Sequence, residues 1–225
     1  MRLTKRRKQG QELIKKESSY PLEDAISNIT KFPKVKFDET VELHFHLNID
    51  PKNSEQLIRG TLVLPHGTGK TVRIAVFCKG ENTQKAKDLG ADYVGAEDLI
   101  DKVSKGFLDF DCIIATPDIM RELSKLGKVL GPRGLMPSPK TGTVTMDIER
   151  AIKEVRAGKV EFKTDKQGGI HLGIGKRSFP EEHLLQNARN VIEAVQHAKP
   201  AGIKGHFIKS LFISSTMGLG VRVAV

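Results

Sequence analysis

Gly69, Lys70 and Thr71 close the stretch VLPHGTGKT (63–71), whose ending matches the loop that cradles nucleotide phosphates. That loop needs GxxxxGK[ST] between a strand and a helix, so that backbone N–H groups at the helix start meet the phosphates. Here the first glycine should be residue 64, which is Leu, and the following TVRIAVFC reads as a strand. Phosphate-transfer chemistry is therefore not expected. His44 and His46 share a strand face with no third ligand nearby, which predicts cross-strand packing or surface exposure and no metal centre. Asp109, Asp111 and Asp118 flank the apolar CIIATP and could pair for acid/base work, but strand-end acids beside a sheet commonly cap or stay solvated. Cys78 and Cys112 lie in apolar runs at no metal or redox spacing and read as buried small hydrophobes. No nucleophile, base and orienting group stand together, so no catalytic residue, metal or cofactor is expected.

The loop GPRGLMPSPKTG (131–142) carries Arg133 and Lys140 among three prolines and three glycines, a composition suited to contact with an anion or partner. The basic charge is uneven. The chain has 225 residues and a net charge of +10; residues 68–158 hold 15 basic and 13 acidic residues, and the outer segments hold 22 and 14, so the outer segments carry +8. Arg2, Lys5, Arg6, Arg7, Lys8, Lys15 and Lys16 cluster at the start against only Glu12, which is either a solvated terminus or part of a polyanion-binding surface.

These residues need elements to hold them. PLEDAISNITKF (21–32) predicts a short amphipathic helix, and TVELHFHLNI (40–49) alternates Val41, Leu43, Phe45 and Leu47 inward as a half-buried strand. IRGTLVL (58–64) predicts another strand. Between 68 and 158 the style changes: VRIAVFC (72–78) and DCIIAT are nearly continuous apolar strands alternating with ADYVGAEDLIDKVSKG, the helical PDIMRELSKLG and a helix at about 147–155, which is the pattern of a parallel α/β sheet covered on both faces. From Lys159 the first style returns, with strands at 160–163 and 169–174 and a long helix at 179–198 carrying Leu184, Leu185, Ala188, Val191, Ile192 and Val195 on one face. A strand, a turn near 217–220 and a short strand end the chain. The expected fold is α/β and α+β in two domains: a discontinuous α+β domain, 1–67 with 159–225, and an inserted Rossmann-like α/β domain, 68–158. Gly67, Gly69 and Gly158 at the two crossings serve either a hinge or rigid turns. No window supplies the ~20 apolar residues of a membrane span, and the N-terminus lacks the apolar core of a secretory signal.

Several long strings converge on one family. LGKVLGPRGLMPSPKTGTV (126–144), KFDETVELHFHLNIDP (36–51), RGTLVLPHGTGK (59–70), GADYVG (90–95), DFDCIIATPDIM (109–120) and SSTMG (214–218) resemble, in order, the bacterial-type family of large-subunit ribosomal protein L-one. The resemblance covers nearly the whole chain, although the first twenty residues match only loosely. It implies a non-enzymatic protein whose outer domain binds the mobile stalk of 23S-type ribosomal RNA near the tRNA exit site, assists release of deacylated tRNA, and represses its own operon by binding the messenger. The implied partners are that rRNA stalk, exit-site tRNA, the operon mRNA and other components of the large subunit, with no membrane. The implied location is a cytoplasmic bacterial ribosome, an organellar ribosome being the alternative. The resemblance places Lys36, Phe37, Thr40, Lys166, Ser210, Thr216, Met217 and Gly218 on the RNA face, and makes Arg133 and Lys140 a candidate tRNA or partner loop. Small hydroxyls and exposed backbone suit the 2′-hydroxyls and phosphates of structured RNA, and Phe37 and Met217 suit sugars or bases. A DNA-binding regulator, reading a groove with the 179–198 helix, and a nucleotide-binding enzyme are the competing readings.

Overall fold

The computed structural model describes residues 4–14, 18–53, 56–80, 82–200, 202–203 and 205–224; Arg2, Lys15 and Lys16 of the basic cluster lie outside them. In chain order the elements are α1 Lys5–Leu13, α2 Leu22–Lys31, β1 Thr40–Leu47, β2 Arg59–Val63, β3 Ile74–Phe77, α3 Asn82–Asp88, β4 Tyr93–Gly95, α4 Glu97–Ser104 and β5 Cys112–Ala115. There follow α5 Met120–Leu123, α6 Gly127–Leu130, α7 Ile148–Arg156, β6 Lys159–Lys163, β7 Gly169–Lys176, α8 Glu181–His197, β8 Ile208–Ser215 and β9 Val221–Val223. Backbone contacts divide the chain into two compact units, Met1–Gly69 with Val160–Val225, and Lys70–Lys159.

The first unit is built on an antiparallel sheet of order β7-β1-β8-β9. The alternation of β1 puts Val41, Leu43, Phe45 and Leu47 into the core with Leu211 and Ile213 of β8. Helices α2 and α8 cover that face through Ile26, Ile29, Leu184, Val191 and Val195. Burying such side chains contributes roughly 1.5–3 kcal/mol each, which is what selects the strand register. The opposite face carries Thr40, Glu42, His44 and His46 of β1 beside Ser210, Phe212, Ser214 and Thr216. It is an open, polar surface. A second small sheet pairs β2 with β6.

Three parallel strands, in the order β4-β3-β5, form the second unit. Ala75 and Phe77 face a cluster with Leu99, Val103, Leu123 and Leu130, whereas Ile74 and Val76 face Ala86, Ile148, Ile152 and Val155. Helices on both sides explain why β3 is apolar at every position. The expected single helix at PDIMRELSKLG is instead a chain of short turns: 3-10 Pro117–Ile119 leads into α5, and 3-10 Ser124–Leu126 separates α5 from α6. Ile119, Leu123, Leu126 and Leu130 all point into one cluster, so packing is met without a continuous helix. Cys78 is buried as read, but Cys112 is only half-buried at the sheet edge.

The basic N-terminus also differs from a frayed terminus. Thr4 Oγ1 accepts from the Arg7 N–H and caps α1, and Gly10 is buried close against Leu219: a Cβ there would lie 3.2 Å from its Cδ1, a tight contact.

Candidate nucleic-acid interface

Six of the eight expected RNA-face residues meet at one end of the open sheet. Thr40 begins β1 and Thr216 follows β8. The Thr40 N–H donates to Thr216 Oγ1 (3.0 Å), the Thr216 N–H donates to the Thr40 carbonyl (3.0 Å), and the Thr216 hydroxyl donates to that carbonyl (3.3 Å). Met217 and Phe37 lie near this pair in the chain, with 59% and 55% of their surfaces exposed. Both are among the most exposed large apolar side chains of the described residues. Lys36 is exposed beside Phe37, and Lys176 Nζ reaches Thr40 Oγ1 (3.2 Å). Gly218 is required by close approach: its N–H donates to the Ser215 carbonyl (2.9 Å), and a Cβ would overlap Ser215 Oγ.

Ser210 and Lys166 stand at the other end. Ser210 faces His46 across β1 and β8, and Lys166 is the exposed tip of the turn before β7, where Asp165 Oδ1 accepts from Gln167 and Gly169. Six residues of strand separate them from Thr40, roughly 20 Å at ~3.3 Å per residue. Between the ends, His44 and His171 oppose each other with Nδ1 atoms 2.9 Å apart, and His44 Nε2 meets Ser214 Oγ (2.9 Å). Burial first, and the neighbouring His171 second, push the His44 pKa down; His44 is thus packed across the strands and His46 is exposed, the two placements read for this pair.

What fixes the six residues is a carboxylate the sequence reading passed over. Glu39 is buried with its side chain fully covered. Its Oε2 accepts from Arg177 Nη1 (2.7 Å), and its Oε1 accepts from the Met217 N–H (3.0 Å), Ser215 Oγ (3.1 Å) and Arg6 Nη2 (3.4 Å). Burial alone would raise the Glu39 pKa; the bonds from Arg177, the Met217 amide and Ser215, with the Arg177 charge, outweigh it and hold the pKa below the ordinary carboxylate range. Arg177 also donates to the carbonyls of Thr30, Phe32 and Pro33 at the end of α2, and Arg6 donates to the Met217 carbonyl (2.6 Å). One buried carboxylate thus ties loop 33–39, the 215–218 turn, the end of β7 and α1 together. Its only sequence signal was an acid directly before a strand, which elsewhere is a solvated position.

In the second unit Arg133 and Lys140 are both exposed on loop 131–142, at successive turns. The Ser138 carbonyl organises the second turn by accepting from Thr141 and Thr143. Asp109 and Asp111 both pair with Arg73; the Arg73 amide first and its guanidinium second hold the Asp111 pKa low, so these acids fasten the start of β3. The GTGKT segment leads into β3, a strand, with no helix start to cradle phosphate. At the carboxyl end of β3, where a parallel sheet of this order opens a ligand crevice, Lys79 Nζ joins Glu97 (3.2 Å) and Glu122 (2.9 Å). ATP or GTP is accordingly expected to leave the melting temperature unchanged; a saturable rise with nucleotide concentration would restore the enzyme reading.

Residues 29–219 match the Ribosomal protein L1p/L10e family. The chain belongs to that family. It is 52% identical to the large ribosomal subunit protein uL1 of Fervidobacterium nodosum over 221 residues, which are 98% of this chain and 94% of that protein. Similar matches are the uL1 proteins of Protochlamydia amoebophila, 54% identical over 91% of this chain and 87% of that protein, and of Thermosipho africanus, 52% identical over 98% and 95%. This ribosomal protein is therefore a structural, non-enzymatic component of the large subunit, of the bacterial type, on a cytoplasmic ribosome. Among the described residues no helix is long and apolar enough to cross a membrane.

Proposed function

We propose that the first unit of this ribosomal protein holds the mobile stalk of 23S-type rRNA through the end of its sheet that carries Phe37, Thr40 and Thr216 to Gly218. The observation carrying this reading is the pair of exposed apolar side chains, Phe37 and Met217, near in the chain to the bonded Thr40–Thr216 pair, with the Met217 amide held by Glu39. Hydroxyls and free backbone reach ribose 2′-OH groups, and the apolar side chains pack on sugars or bases. Lys36 and Lys176 add phosphate contacts at the same end. Ser210 and Lys166, at the far end, extend the reading only if the RNA runs along the whole open face.

On this reading the second unit faces exit-site tRNA with Arg133 and Lys140 and assists release of deacylated tRNA, Gly67, Gly69 and Gly158 letting it move. The three glycines have φ of 64°, 70° and 98°, which suits either a hinge or fixed turns, and family membership is what favours the mobile reading. The same RNA surface, offered a stalk-like leader in its own operon mRNA, would repress translation.

The test is binding to a stalk-sized rRNA fragment against a scrambled hairpin of equal length at two salt concentrations. Selective binding that persists at the higher salt is expected, because counterion release alone favours both RNAs equally. Met217→Ala should cost ~1–3 kcal/mol of binding with the fold intact. Thr216→Ala should cost as much, but part of its loss comes from the Thr40 bonds, which makes Met217 the cleaner probe. Equal, salt-sensitive binding of both RNAs, or a Met217→Ala variant that binds as tightly as the parent, would overturn the site.

A further inference from the structure

Loop 33–39 has a groove on each side. One, of about 540 Å³, has three acids in its lining, Asp38, Glu39 and Glu181, against Lys34 and Arg177, and Arg177 is already paired with Glu39. The other, of about 450 Å³, runs between α1 and the 217–220 turn; Arg6, Arg7, Met217 and Gly218 line it, and no acidic residue does. The second, with two arginines and no acid in its lining, suits an RNA backbone leaving the Thr216 to Gly218 turn better than the first.

Helix α1 is oddly made for a structural helix. Its first turn holds Lys5, Arg6, Arg7 and Lys8 and no acid, so the positive end of the helix dipole meets positive side chains. Lys5 and Lys8, one turn apart, repel each other as well. Arg6 escapes this by turning to Glu39 and the Met217 carbonyl. Lys5, Arg7 and Lys8 are exposed and make no ion pair with any described acidic side chain. Each residue turns the helix by 100°, so with Arg6 facing the turn, Arg7 falls on the groove and Lys5 and Lys8 on the outer side.

We infer that α1 is a docked RNA-binding arm: Arg6 anchors it to the Met217 turn, and Lys5, Arg7 and Lys8 clamp the phosphodiester backbone of the RNA that the turn contacts. The inference rests on the stalk-binding reading and extends it to a segment where family resemblance is weak. A bound polyanion relieves both the dipole conflict and the Lys5–Lys8 repulsion, so binding and helix order are coupled.

The experiment titrates the full chain with the stalk-sized rRNA fragment over a range of KCl, for the parent, a K5Q/R7Q/K8Q variant, and a control variant, K87Q/K102Q/K105Q, that removes the same charge from exposed positions of the second unit. Three lost phosphate contacts should flatten the log–log salt slope by about two, so that a fourfold rise in salt costs the arm variant roughly tenfold or more less affinity than it costs the parent. The control should keep the parent slope. Amide exchange across Lys5–Leu13 should slow when RNA binds the parent. Arm and control variants with equal slopes, or exchange in α1 that RNA leaves unchanged, would overturn the arm while leaving the stalk reading in place. A parent that does not prefer stalk RNA to the scrambled hairpin would overturn both.

Discussion

Replacing Glu39 with Ala is expected to cost about 3–5 kcal/mol of stability in the first unit, because Arg177, whose side chain is only 7% exposed, would keep its carbonyl acceptors but lose its counter-charge. A buried ion pair need not stabilise a fold as a whole, yet removal of one partner alone is costly, since the remaining ion has lost both water and counter-charge. The loss also reaches the candidate RNA surface. The Met217 N–H and Ser215 hydroxyl lose their acceptor and Arg6 loses its carboxylate, so the 215–218 turn and α1 loosen together. Amide exchange should speed up at Met217 and Gly218 more than at Leu43 or Phe45 in mid-strand, and stalk-RNA affinity should fall at temperatures where the sheet remains folded. Denaturant unfolding gives the stability, and exchange gives the locality. A Glu39→Ala protein as stable as the parent, with Met217 exchange unchanged, would show that the carboxylate is incidental. Acid offers a second view of the same group. Because the folded pKa is lowered, Glu39 contributes stability that is fully present above the ordinary carboxylate range and lost as pH falls through the folded value. The parent should therefore lose stability below that range more steeply than Glu39→Ala does.

The contrast between what sequence pattern revealed and what it hid follows from the kind of energy involved. Alternation in β1 and β8, the apolar run of β3 and the stripe of α8 are burial patterns, and burial is large, additive and periodic. Hence the strands and long helices fall within two or three residues of their expected places, as with 40–49 against Thr40–Leu47 and 179–198 against Glu181–His197. Phe37, Thr40 and Thr216 to Gly218 came from a resemblance, and their meeting at one sheet end depends on the β1–β8 register that the same alternation sets. Glu39, Arg177 and Arg6 left no pattern, because a buried polar network is made by three or four specific long-range bonds and has no period. The ordered α1 was hidden for the same reason: its docking uses one arginine and one glycine, and its composition otherwise argues for solvent.

Asn187 is the second such residue and carries the second large expectation. It sits in the stripe of α8 fully buried among Leu184, Ala188 and Val191, where the sequence showed only a gap between apolar neighbours. Its Nδ2 donates to the carbonyls of Ile174 (2.7 Å) and Gly67 (3.0 Å), and its Oδ1 accepts from the His66 N–H (3.2 Å). One amide thereby fastens residues 66 and 67 to β7 and α8. Asn187→Ala strands two carbonyls and one N–H and should cost about 2–4 kcal/mol, as buried polar groups left unpaired cost ~1–3 kcal/mol each and water reaches the half-exposed loop. Asn187→Asp should be worse than Ala at neutral pH, because a carboxylate would face two carbonyl oxygens with nothing to donate. Protonation restores a donor, so the folded-state pKa of this Asp would be raised. A raised carboxyl pKa means the penalty is full at pH above the folded value and shrinks as pH falls toward the unfolded one. Melting temperatures of the two variants across pH should therefore converge and then cross on acidification, Asp becoming the more stable. Parallel curves would mean that water satisfies the loop carbonyls, that Asn187 does not hold the crossing, and that residues 66 and 67 can move with whatever follows Gly69.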